Sequence, residues 1–263
     1  MLTSLKNPLV KQIRKLHQSK SRRQQGVFLL EGTHLLQEAK AVDWPLEVVC
    51  MTPDWQQKHP SLWEDLQVRC ETVIPAVLAA MATTVNPDGV MAVAKSQLHS
   101  LPTLSAQGVG LVLETLQDPG NLGTLIRTGV ATGVEVLLMS TDCVDPENPK
   151  VLRASAGAWF HLPRQICPDL AGTLRQYQQQ GFQLMATCPT ASRCYWDLDL
   201  TKPTLILIGN EGAGLSPALS ELADQTVQIP LLGGVESLNA AIAAAVILYE
   251  VRRQRRNPEA FTV

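Results

Sequence analysis

Five apolar segments alternate with helical patterns between residues 109 and 256, and this alternation restricts the fold more than any other feature of the 263-residue chain. The segments read GLVLETL, VEVLLM, FQLMATC, TLILIG and TVQIP, and helices are predicted near 122–132, 149–158, 169–180, 216–223 and 238–256. Strands that alternate with helices form a mainly parallel sheet with helices on both faces. Because ligands bind outside the carboxyl ends of such strands, the loops there form the candidate site.

A smaller α/β domain precedes this sheet. Between Val27 and Lys95, apolar runs such as VFLLEG, LEVVCM and GVMAVAK alternate with helical patterns. Before them, NPLVKQIRKLHQ predicts an amphipathic helix with Leu9, Ile13 and Leu16 on its apolar face and basic residues on the other. The stretch SQLHSLPTLSAQG has no sustained periodicity, so it marks a boundary. We therefore predict a first domain at 1–97, a linker at 98–108 and a second domain at 109–263.

The charges are distributed unevenly along the chain, although the net charge is only −2. Residues 1–25 hold seven basic side chains and no acidic one, and the last helix carries Arg252, Arg253, Arg255 and Arg256. Either end could contact phosphate groups. A solvated helix face at the first end, or favourable contact with the helix dipole at the second, explains each run equally well.

Composition excludes several classes of protein. There is no run of about 18 apolar residues that could cross a bilayer and no apolar stretch near the start typical of a signal peptide. We therefore expect a cytoplasmic protein with no membrane partner. The six cysteines are scattered without zinc-ligand spacing, so we expect reduced thiols and no metal site.

The first candidate loop joins a strand to a helix through Asp118-Pro119-Gly120-Asn121. Asn121 is a candidate N-cap of that helix, which would be a purely structural role. Arg127 follows two turns later among mostly small residues. Taken alone, Arg127 can be either a solvated side chain or a functional one.

Two further loops follow late strands. Residues 209–214, Gly-Asn-Glu-Gly-Ala-Gly, have the order G-x-x-G-x-G, which lets the backbone approach a ligand but is not the dinucleotide fingerprint G-x-G-x-x-G. The third loop, PLLGGVESLN, is rich enough in glycine to wrap an aromatic base such as adenine, and Ser237 or Asn239 can cap the helix after it.

Together, DPGNLGTLIRTG, IGNEGAGLS and IPLLGGVESLNAAIA resemble motifs one, two and three of the SpoU (TrmH) family of RNA methyltransferases. The segment VLRASAGAWFHLP resembles the family's stretch between motifs one and two, and FLLEGTHLLQEA resembles its ribosomal-protein-like RNA-binding domain. The resemblance covers most of residues 1–256. One departure is SLNAAIA, where the family more often has SLNVSVA, so a second serine hydroxyl that could contact the substrate is missing.

The resemblance implies an α/β protein whose C-terminal domain is a trefoil-knotted parallel-sheet (SPOUT) methyltransferase domain that forms a homodimer. It implies S-adenosylmethionine as the cofactor, held by Thr187, Gly209, Ile229, Leu231 and Leu238. The catalytic residues that it implies are Asn121, Arg127, Glu211, Ser237 and Asn239.

The resemblance also suggests roles for these residues. Arg127 is assigned to the ribose hydroxyl; because a guanidinium group stays protonated, we predict that Arg127 binds the target phosphate and hydroxyl and does not act alone as a base. Glu211 is expected to order the loops, and Asn239 to orient the cofactor or the target.

The implied reaction transfers a methyl group from S-adenosylmethionine to a ribose 2′-hydroxyl of structured RNA, with rRNA favoured over tRNA by the accessory N-terminal domain. One alternative is a tRNA 2′-O-methyltransferase, and another is a non-catalytic RNA-binding dimer with a degenerate methyltransferase fold. A nicotinamide or nucleotide enzyme on a Rossmann sheet is a third, but the expected glycine order is lacking.

Overall fold

The computed structural model describes residues 1–97 and 104–255. Its α-helices within these residues are α1 (Pro8–Lys15), α2 (Ser19–Gln25), α3 (Thr33–Ala41), α4 (Pro53–Lys58), α5 (Pro60–Trp63), α6 (Pro75–Met81), α7 (Pro119–Thr132), α8 (Pro149–Ala154), α9 (Leu170–Gln179), α10 (Pro217–Leu222) and α11 (Ala240–Gln254). Its strands are β1 (Val27–Glu31), β2 (Leu46–Met51), β3 (Arg69–Thr72), β4 (Val90–Lys95), β5 (Val109–Leu113), β6 (Val136–Ser140), β7 (Arg164–Cys167), β8 (Gln183–Thr187), β9 (Arg193–Cys194), β10 (Thr204–Ile208) and β11 (Gln225–Gln228).

The chain divides into two compact units, each made of two segments. Unit 1 comprises Met1–Leu98 and Asp145–Phe160, and unit 2 comprises His99–Val144 and His161–Val263. Unit 1 therefore includes a segment from within the range 109–263 that the sequence assigns to the second domain. Of the predicted linker 98–108, residues 98–103 lie outside the described residues.

Unit 1 is built on a four-stranded sheet with the order β1-β4-β2-β3. Strand β4 runs antiparallel to both β1 and β2, and β3 runs parallel to β2. Helix α1 buries Ile13, and Leu16 at its C-cap is buried in the same core as Leu29 and Val93. This confirms the predicted amphipathic helix, because its apolar residues face the core.

The second segment of unit 1 supplies part of the unit's core. Trp159 is almost fully buried, and its ring centroid lies 4.9 Å from that of Phe28 and 5.2 Å from that of Trp44. The Trp159 Nε1–H donates to the carbonyl of Pro146 at 2.8 Å, which satisfies the polar end of a buried indole. Residues 145–160 are therefore an integral part of unit 1.

An ion pair also connects the two segments of unit 1. Arg22 is only 1% exposed and donates to Asp145 Oδ2 from Nη2 at 2.5 Å and from Nε at 3.1 Å. It further donates to the carbonyls of Leu16 at 2.8 Å and His17 at 3.1 Å. One of the seven basic residues near the start of the chain is thus a buried structural group that cannot contact phosphate.

Unit 2 is built on a seven-stranded sheet with the order β7-β6-β5-β10-β8-β11-β9. Every neighbouring pair is parallel, which confirms the predicted parallel sheet. The central strands β5 and β10 are buried along their whole length, as expected for a sheet covered on both faces. Helices α7 and α11 pack against each other. Strand order does not decide how the chain is threaded, so the trefoil knot stays a prediction.

Several short elements carry no periodic sequence signal. Strands β7 and β9 lie at the two edges of the large sheet, and β7 has polar residues at Arg164 and Gln165. Helix α2 has the polar sequence SKSRRQQ and buries only Arg22. Helices α4 and α5 are short, and their only signal is proline at the first position. Helix α8 ends at Ala154, four residues before the predicted end, where the chain bends into the turn that places Trp159.

The six cysteines are free thiols, and burial raises the pKa of Cys50 to about 12. None of the described helices combines the length and hydropathy that spanning a bilayer requires.

Substitution of Asp145 tests the buried ion pair. Asp145→Ala leaves the Arg22 charge buried without its carboxylate, so we expect unit 1 to lose about 3–5 kcal/mol of stability. Urea unfolding followed by tryptophan fluorescence measures this loss, since four of the five tryptophans lie in unit 1.

Asp54→Ala is the matched control, because it removes an exposed ion pair with Lys58 at 3.3 Å and should not change the unfolding midpoint measurably. Equal midpoints for the two variants would contradict the structural role of Arg22.

Candidate active site

Four strand ends of unit 2 bring the candidate loops together. Leu113 pairs with Ile208, so the loops after β5 and β10 begin side by side. Thr187 pairs with Val227, which places the loops after β8 and β11 next to each other. A cavity of about 510 Å³ lies at the ends of β8, β10 and β11, within the size range typical of small-molecule sites.

The lining of the cavity is mainly apolar side chains and backbone. It consists of Ala186, Thr187, Cys188, Pro189, Ile208, Gly209, Asn210, Glu211, Gly212, Ala213, Gly214, Leu215, Ser220, Thr226, Val227, Gln228, Ile229, Leu231, Glu236, Ser237, Leu238, Ala240, Ala243 and Ile247. All five residues predicted to hold the cofactor are among them, and so are Glu211 and Ser237.

The loop after β10 is closed on itself. Asn210 and Gly214 exchange two backbone hydrogen bonds, both at 2.9 Å. The Asn210 side-chain oxygen accepts from the amides of Gly212 and Ala213, also at 2.9 Å. A Cβ at Gly209 would lie 2.1 Å from the carbonyl carbon of Gly214, so only glycine fits there. The loop is therefore compact, and all of its residues from Gly209 to Leu215 line the cavity.

Asn210 also ties this loop to the loop after β5. Its Nδ2–H donates to the carbonyl of Thr115 at 2.9 Å. Thr115 has a φ of 55°, a left-handed conformation that is costly for a β-branched residue. It is held there because its amide donates to Ser140 Oγ at 2.9 Å and its hydroxyl to Asp142 at 2.7 Å. Hydrogen bonds from Ser140 and Thr115 lower the pKa of Asp142, which keeps this acceptor ionised.

Glu211 connects the same two loops through its carboxylate. The backbone amides of Gln117 and Asp118 donate to it at 3.3 and 3.1 Å, and the side chain of Asn121 donates at 3.1 Å. Partial burial alone would raise the pKa of Glu211, but the hydrogen bonds from Asn121, Asp118 and Gln117 outweigh it and the pKa lies below its usual value. Glu211 is therefore a charged acceptor at neutral pH.

The third loop joins this network through Asn239. Its Nδ2–H donates to Asn121 Oδ1 at 2.8 Å, while its own Oδ1 caps α11 by accepting from the amides of Ala241 and Ile242. The continuous chain Glu211–Asn121–Asn239 thus connects the three loops that the sequence singles out. Asn121 and Asn239 belong to this network but do not line the cavity.

The cap of α7 is Asp118 and not Asn121. Asp118 Oδ1 accepts from the amide of Asn121 at 2.7 Å, and the helix begins at Pro119. The signal in the sequence was the Asp-Pro pair, because proline favours the first helical position directly after a cap. The side chain of Asn121 is thereby free to bind Glu211 and Asn239.

Arg127 lies apart from this network. It is exposed and makes no hydrogen bond or ion pair within the described residues, and it does not line the cavity. Six residues of α-helix separate it from Asn121, a rise of about 9 Å along the axis. Its guanidinium group is free to bind an external group.

Sequence reasoning missed two residues that shape the site. Asn210 organises its loop, and its signal is an asparagine followed by Glu-Gly, a pattern in which the side chain accepts from amides two residues on. Glu114 accepts from the amide of Ser216 at 2.7 Å and so fixes the far end of the same loop. An acidic residue at the end of an apolar strand is its only signal.

Within residues 1–97 and 104–255, no three histidine, cysteine or acidic side chains are grouped closely enough to hold a metal ion. The arrangement offers glycine-lined backbone, apolar contacts and two glutamates, Glu211 and Glu236. It can bind a small molecule with an aromatic part.

Comparison with known protein families matches both parts of the chain. Residues 108–249 match the model of the SpoU rRNA Methylase family. Residues 7–92 match the model of the MRM3-like substrate binding domain.

Individual proteins agree with these matches. The chain is 50% identical over 258 residues to an uncharacterized tRNA/rRNA methyltransferase of Synechocystis sp., covering 97% of this chain and 94% of that one. It is 32% identical over 265 residues to the 23S rRNA (guanosine(2553)-2′-O)-methyltransferase RlmP of Bacillus subtilis, covering 95% and 98%. The crystal structure of an AdoMet-bound rRNA methyltransferase from Sinorhizobium meliloti superposes with a TM-score of 0.89 at 30% identity, covering 97% and 98%.

The lowered pKa of Glu211 predicts a specific pH dependence of stability. A carboxylate whose pKa is lowered by folding stabilises the native state above its unfolded-state pKa, and this stabilisation is lost as the pH falls through the folded-state value. The difference in unfolding free energy between wild type and Glu211→Gln should be constant above about pH 5 and should shrink only below the ordinary glutamate pKa of about 4.3.

Denaturant titrations of both proteins between about pH 3 and pH 7 measure this difference. A difference that shrinks already between pH 7 and pH 5 would mean that the pKa of Glu211 is raised, which would contradict its role as a charged acceptor.

Proposed function

Because the chain belongs to the SpoU rRNA methylase family, we propose that it transfers a methyl group from S-adenosylmethionine to a ribose 2′-hydroxyl of ribosomal RNA. The observation that carries this proposal is the hydrogen-bonded chain Glu211–Asn121–Asn239, which joins the three motif loops at one cavity. The full-length similarity to an enzyme named as a 23S rRNA 2′-O-methyltransferase supports the same substrate.

The cavity fits the cofactor. Its size suits a nucleoside with an amino-acid tail, and its lining includes Gly209, Gly212 and Gly214, which carry no side chains that would fill the space. We propose that Thr187, Gly209, Ile229, Leu231 and Leu238 hold the adenosine and methionine parts. When bound there, S-adenosylmethionine supplies a methyl group that is already electrophilic.

The departure SLNAAIA leaves the cavity intact. The hydroxyl that the more common SLNVSVA would supply falls at Ala241, which is 2% exposed and does not line the cavity. A serine there would point into the packing of α11 and not toward a substrate. Ser237 keeps the one motif-three hydroxyl that does line the cavity.

The protein's own residues then have to align the ribose hydroxyl with the methyl group. They also have to allow the hydroxyl to lose its proton. Glu211 is occupied by three donors and has a lowered pKa, so its role is to hold the loops in register and not to take the proton. Asn239 fixes the start of α11 beside them. Arg127 is free to bind the phosphate and hydroxyl of the target nucleotide, and such alignment can contribute roughly 7–11 kcal/mol to catalysis.

The first two helices provide a surface for RNA. Lys6, Lys11, Arg14, Lys15, Lys20 and Arg23 are exposed, and none of these side chains forms an ion pair within the described residues. Phosphate contacts from such a surface fix the position of RNA without reading its sequence.

The C-terminal arginines are less available. Arg253 binds Glu250 through two hydrogen bonds of 2.7 Å, and Arg255 donates to the carbonyls of Gln107, Leu200 and Lys202. Arg256 lies outside the described residues. We therefore assign RNA binding to the N-terminal helices.

Two alternatives remain as outcomes of experiment. A tRNA methyltransferase would act on tRNA in place of rRNA, and a non-catalytic RNA-binding dimer would bind RNA without methylating it. The complete network of Glu211, Asn121 and Asn239 favours an enzyme. Action on ribosomal RNA would place the protein in the cytoplasm.

We also propose that the chain forms a homodimer through unit 2. Ile242 and Tyr249 are seven residues apart on α11, so they share one helix face, and both are more than half exposed. Leu232 and Val235 on the preceding loop are exposed as well.

Sedimentation velocity tests the proposed dimer. The full wild-type chain should sediment with the mass of two copies, and the variant Ile242→Lys should sediment with the mass of one copy. A monomeric wild type would contradict the proposal.

Arg127 is the residue whose loss tests the proposed reaction. Arg127→Ala should lower kcat for methylation of rRNA at least about 100-fold, because an aligning charged donor is lost at the reacting group. Arg127→Lys should lose activity as well if binding needs the planar guanidinium group of arginine. Transfer of labelled methyl to 23S rRNA, 16S rRNA and tRNA measures activity and distinguishes the substrate classes.

Arg175→Ala is the control, since Arg175 is an exposed helix arginine of the same unit outside the site. Near-normal turnover by Arg127→Ala would refute its assignment. A wild-type chain that binds RNA and never methylates it would favour the non-catalytic alternative.

The basic helices are tested by the salt dependence of RNA binding. Removing two cations with Lys11→Gln and Lys15→Gln should weaken RNA binding and reduce the slope of log K against log salt by about 0.7–0.9 for each lost phosphate contact. Lys58→Gln, which removes an exposed cation already paired with Asp54, should leave the slope unchanged. An unchanged slope in the double variant would place the RNA elsewhere.

A further inference from the structure

Two charged side chains line the cofactor cavity within the described residues, and they differ in what they bind. Glu211 has its carboxylate occupied by three N–H donors from the loop after β5. Glu236 lines the same cavity, is exposed, and has no hydrogen bond or ion pair with any described residue. The cavity thus contains one carboxylate whose acceptor positions are all open to a ligand.

The loop that carries Glu236 is held in place on the C-terminal side of that residue. Three residues later, Asn239 is held by its hydrogen bond to Asn121 and by its cap of α11. Ser237 and Leu238, between them, also line the cavity. On the other side, Gly233 and Gly234 have φ values of 73° and 76° with open space around them. Glu236 therefore lies between an anchored segment and two glycines that have open space around them.

We propose that Glu236 is the charge-selective contact of the cofactor site, which favours the cationic methyl donor over the product. S-adenosylmethionine carries a sulfonium, an ammonium and a carboxylate, so its net charge is positive. Transfer breaks the bond from sulfur to methyl and leaves the electron pair on sulfur, so S-adenosylhomocysteine has no net charge. The attraction to a nearby carboxylate falls when this positive charge is lost.

A stronger attraction for S-adenosylmethionine than for S-adenosylhomocysteine would favour exchange of the product for a new methyl donor after each transfer. The two ligands share the adenosine, the ribose and the amino-acid tail, so apolar and backbone contacts along the cavity bind both equally. Selection between them requires a group that senses charge. Three N–H dipoles directed at Glu211 offset part of the field of its charge. No donor among the described residues offsets the charge of Glu236, so we assign the selection to Glu236.

The test compares the affinities of both ligands for the RNA-free full chain by isothermal titration calorimetry. Glu236→Gln keeps the shape of the side chain and removes its charge. We expect the affinity for S-adenosylmethionine to fall about three- to fivefold, as for an exposed ion pair, with no change for S-adenosylhomocysteine. Raising the salt concentration should reduce the wild-type preference and leave the variant unaffected.

Glu221→Gln is the matched control, because Glu221 is an exposed glutamate of unit 2 that does not line the cavity and its loss changes the net charge equally. Glu236 has no hydrogen-bond or ion-pair partner in residues 1–97 and 104–255, so both variants should melt at the wild-type temperature. In methylation assays, Glu236→Gln should raise the KM for S-adenosylmethionine without lowering kcat.

Four results would overturn the inference. Equal losses for the two ligands would show that Glu236 does not sense the sulfonium charge, and unchanged affinities would show that it binds neither. An equal effect of Glu221→Gln would show that overall charge is responsible. Absence of binding of either ligand to the wild type would overturn both this inference and the proposed function, whereas the first three results leave the proposed function standing.

Discussion

Three N–H groups converge on the carboxylate of Glu211, and the geometry of the whole site depends on that convergence. Two of them are backbone amides of the loop after β5, so the charge of Glu211 fixes the backbone that leads into α7. The third belongs to Asn121, which accepts in turn from Asn239 at the start of α11. One charged acceptor thereby sets the relative positions of three loops that are far apart in sequence, and it remains charged because its donors lower its pKa.

Part of the structure could be predicted because it depends on patterns repeated along the chain. The parallel sheet of unit 2 follows from five apolar segments that alternate with helices, and most cavity residues that the sequence indicates come from the second and third motifs. Residue pairs distant in sequence could not be predicted. The bond between Asn210 and Thr115, the capping of α7 by Asp118 and the burial of Arg22 depend on contacts that no local period records. Arg22 in particular lies in a basic stretch typical of phosphate-binding segments, yet its side chain is buried like a core residue.

The site combines rigid and loosely held parts. Around Thr115, hydrogen bonds to Ser140 and Asp142 maintain a left-handed backbone that would otherwise be costly, and Gly209 packs against Gly214 so closely that no side chain fits. By contrast, the loop that carries Glu236 contains Gly233 and Gly234, which have open space around them. A preorganised segment together with a loosely packed one allows a ligand to enter and leave while the aligned groups stay in place.

Unit 1 is assembled from two stretches of chain, and this has a consequence for its biogenesis. A ribosome releases the polypeptide from its amino end, so the four-stranded sheet emerges well before Asp145 and Trp159 do. During that interval Arg22 lacks its carboxylate and Phe28 lacks its indole neighbour. The nascent sheet can complete its core only after β5, α7 and β6 of unit 2 have also been translated, so the maturation of the first unit depends on elongation through part of the second.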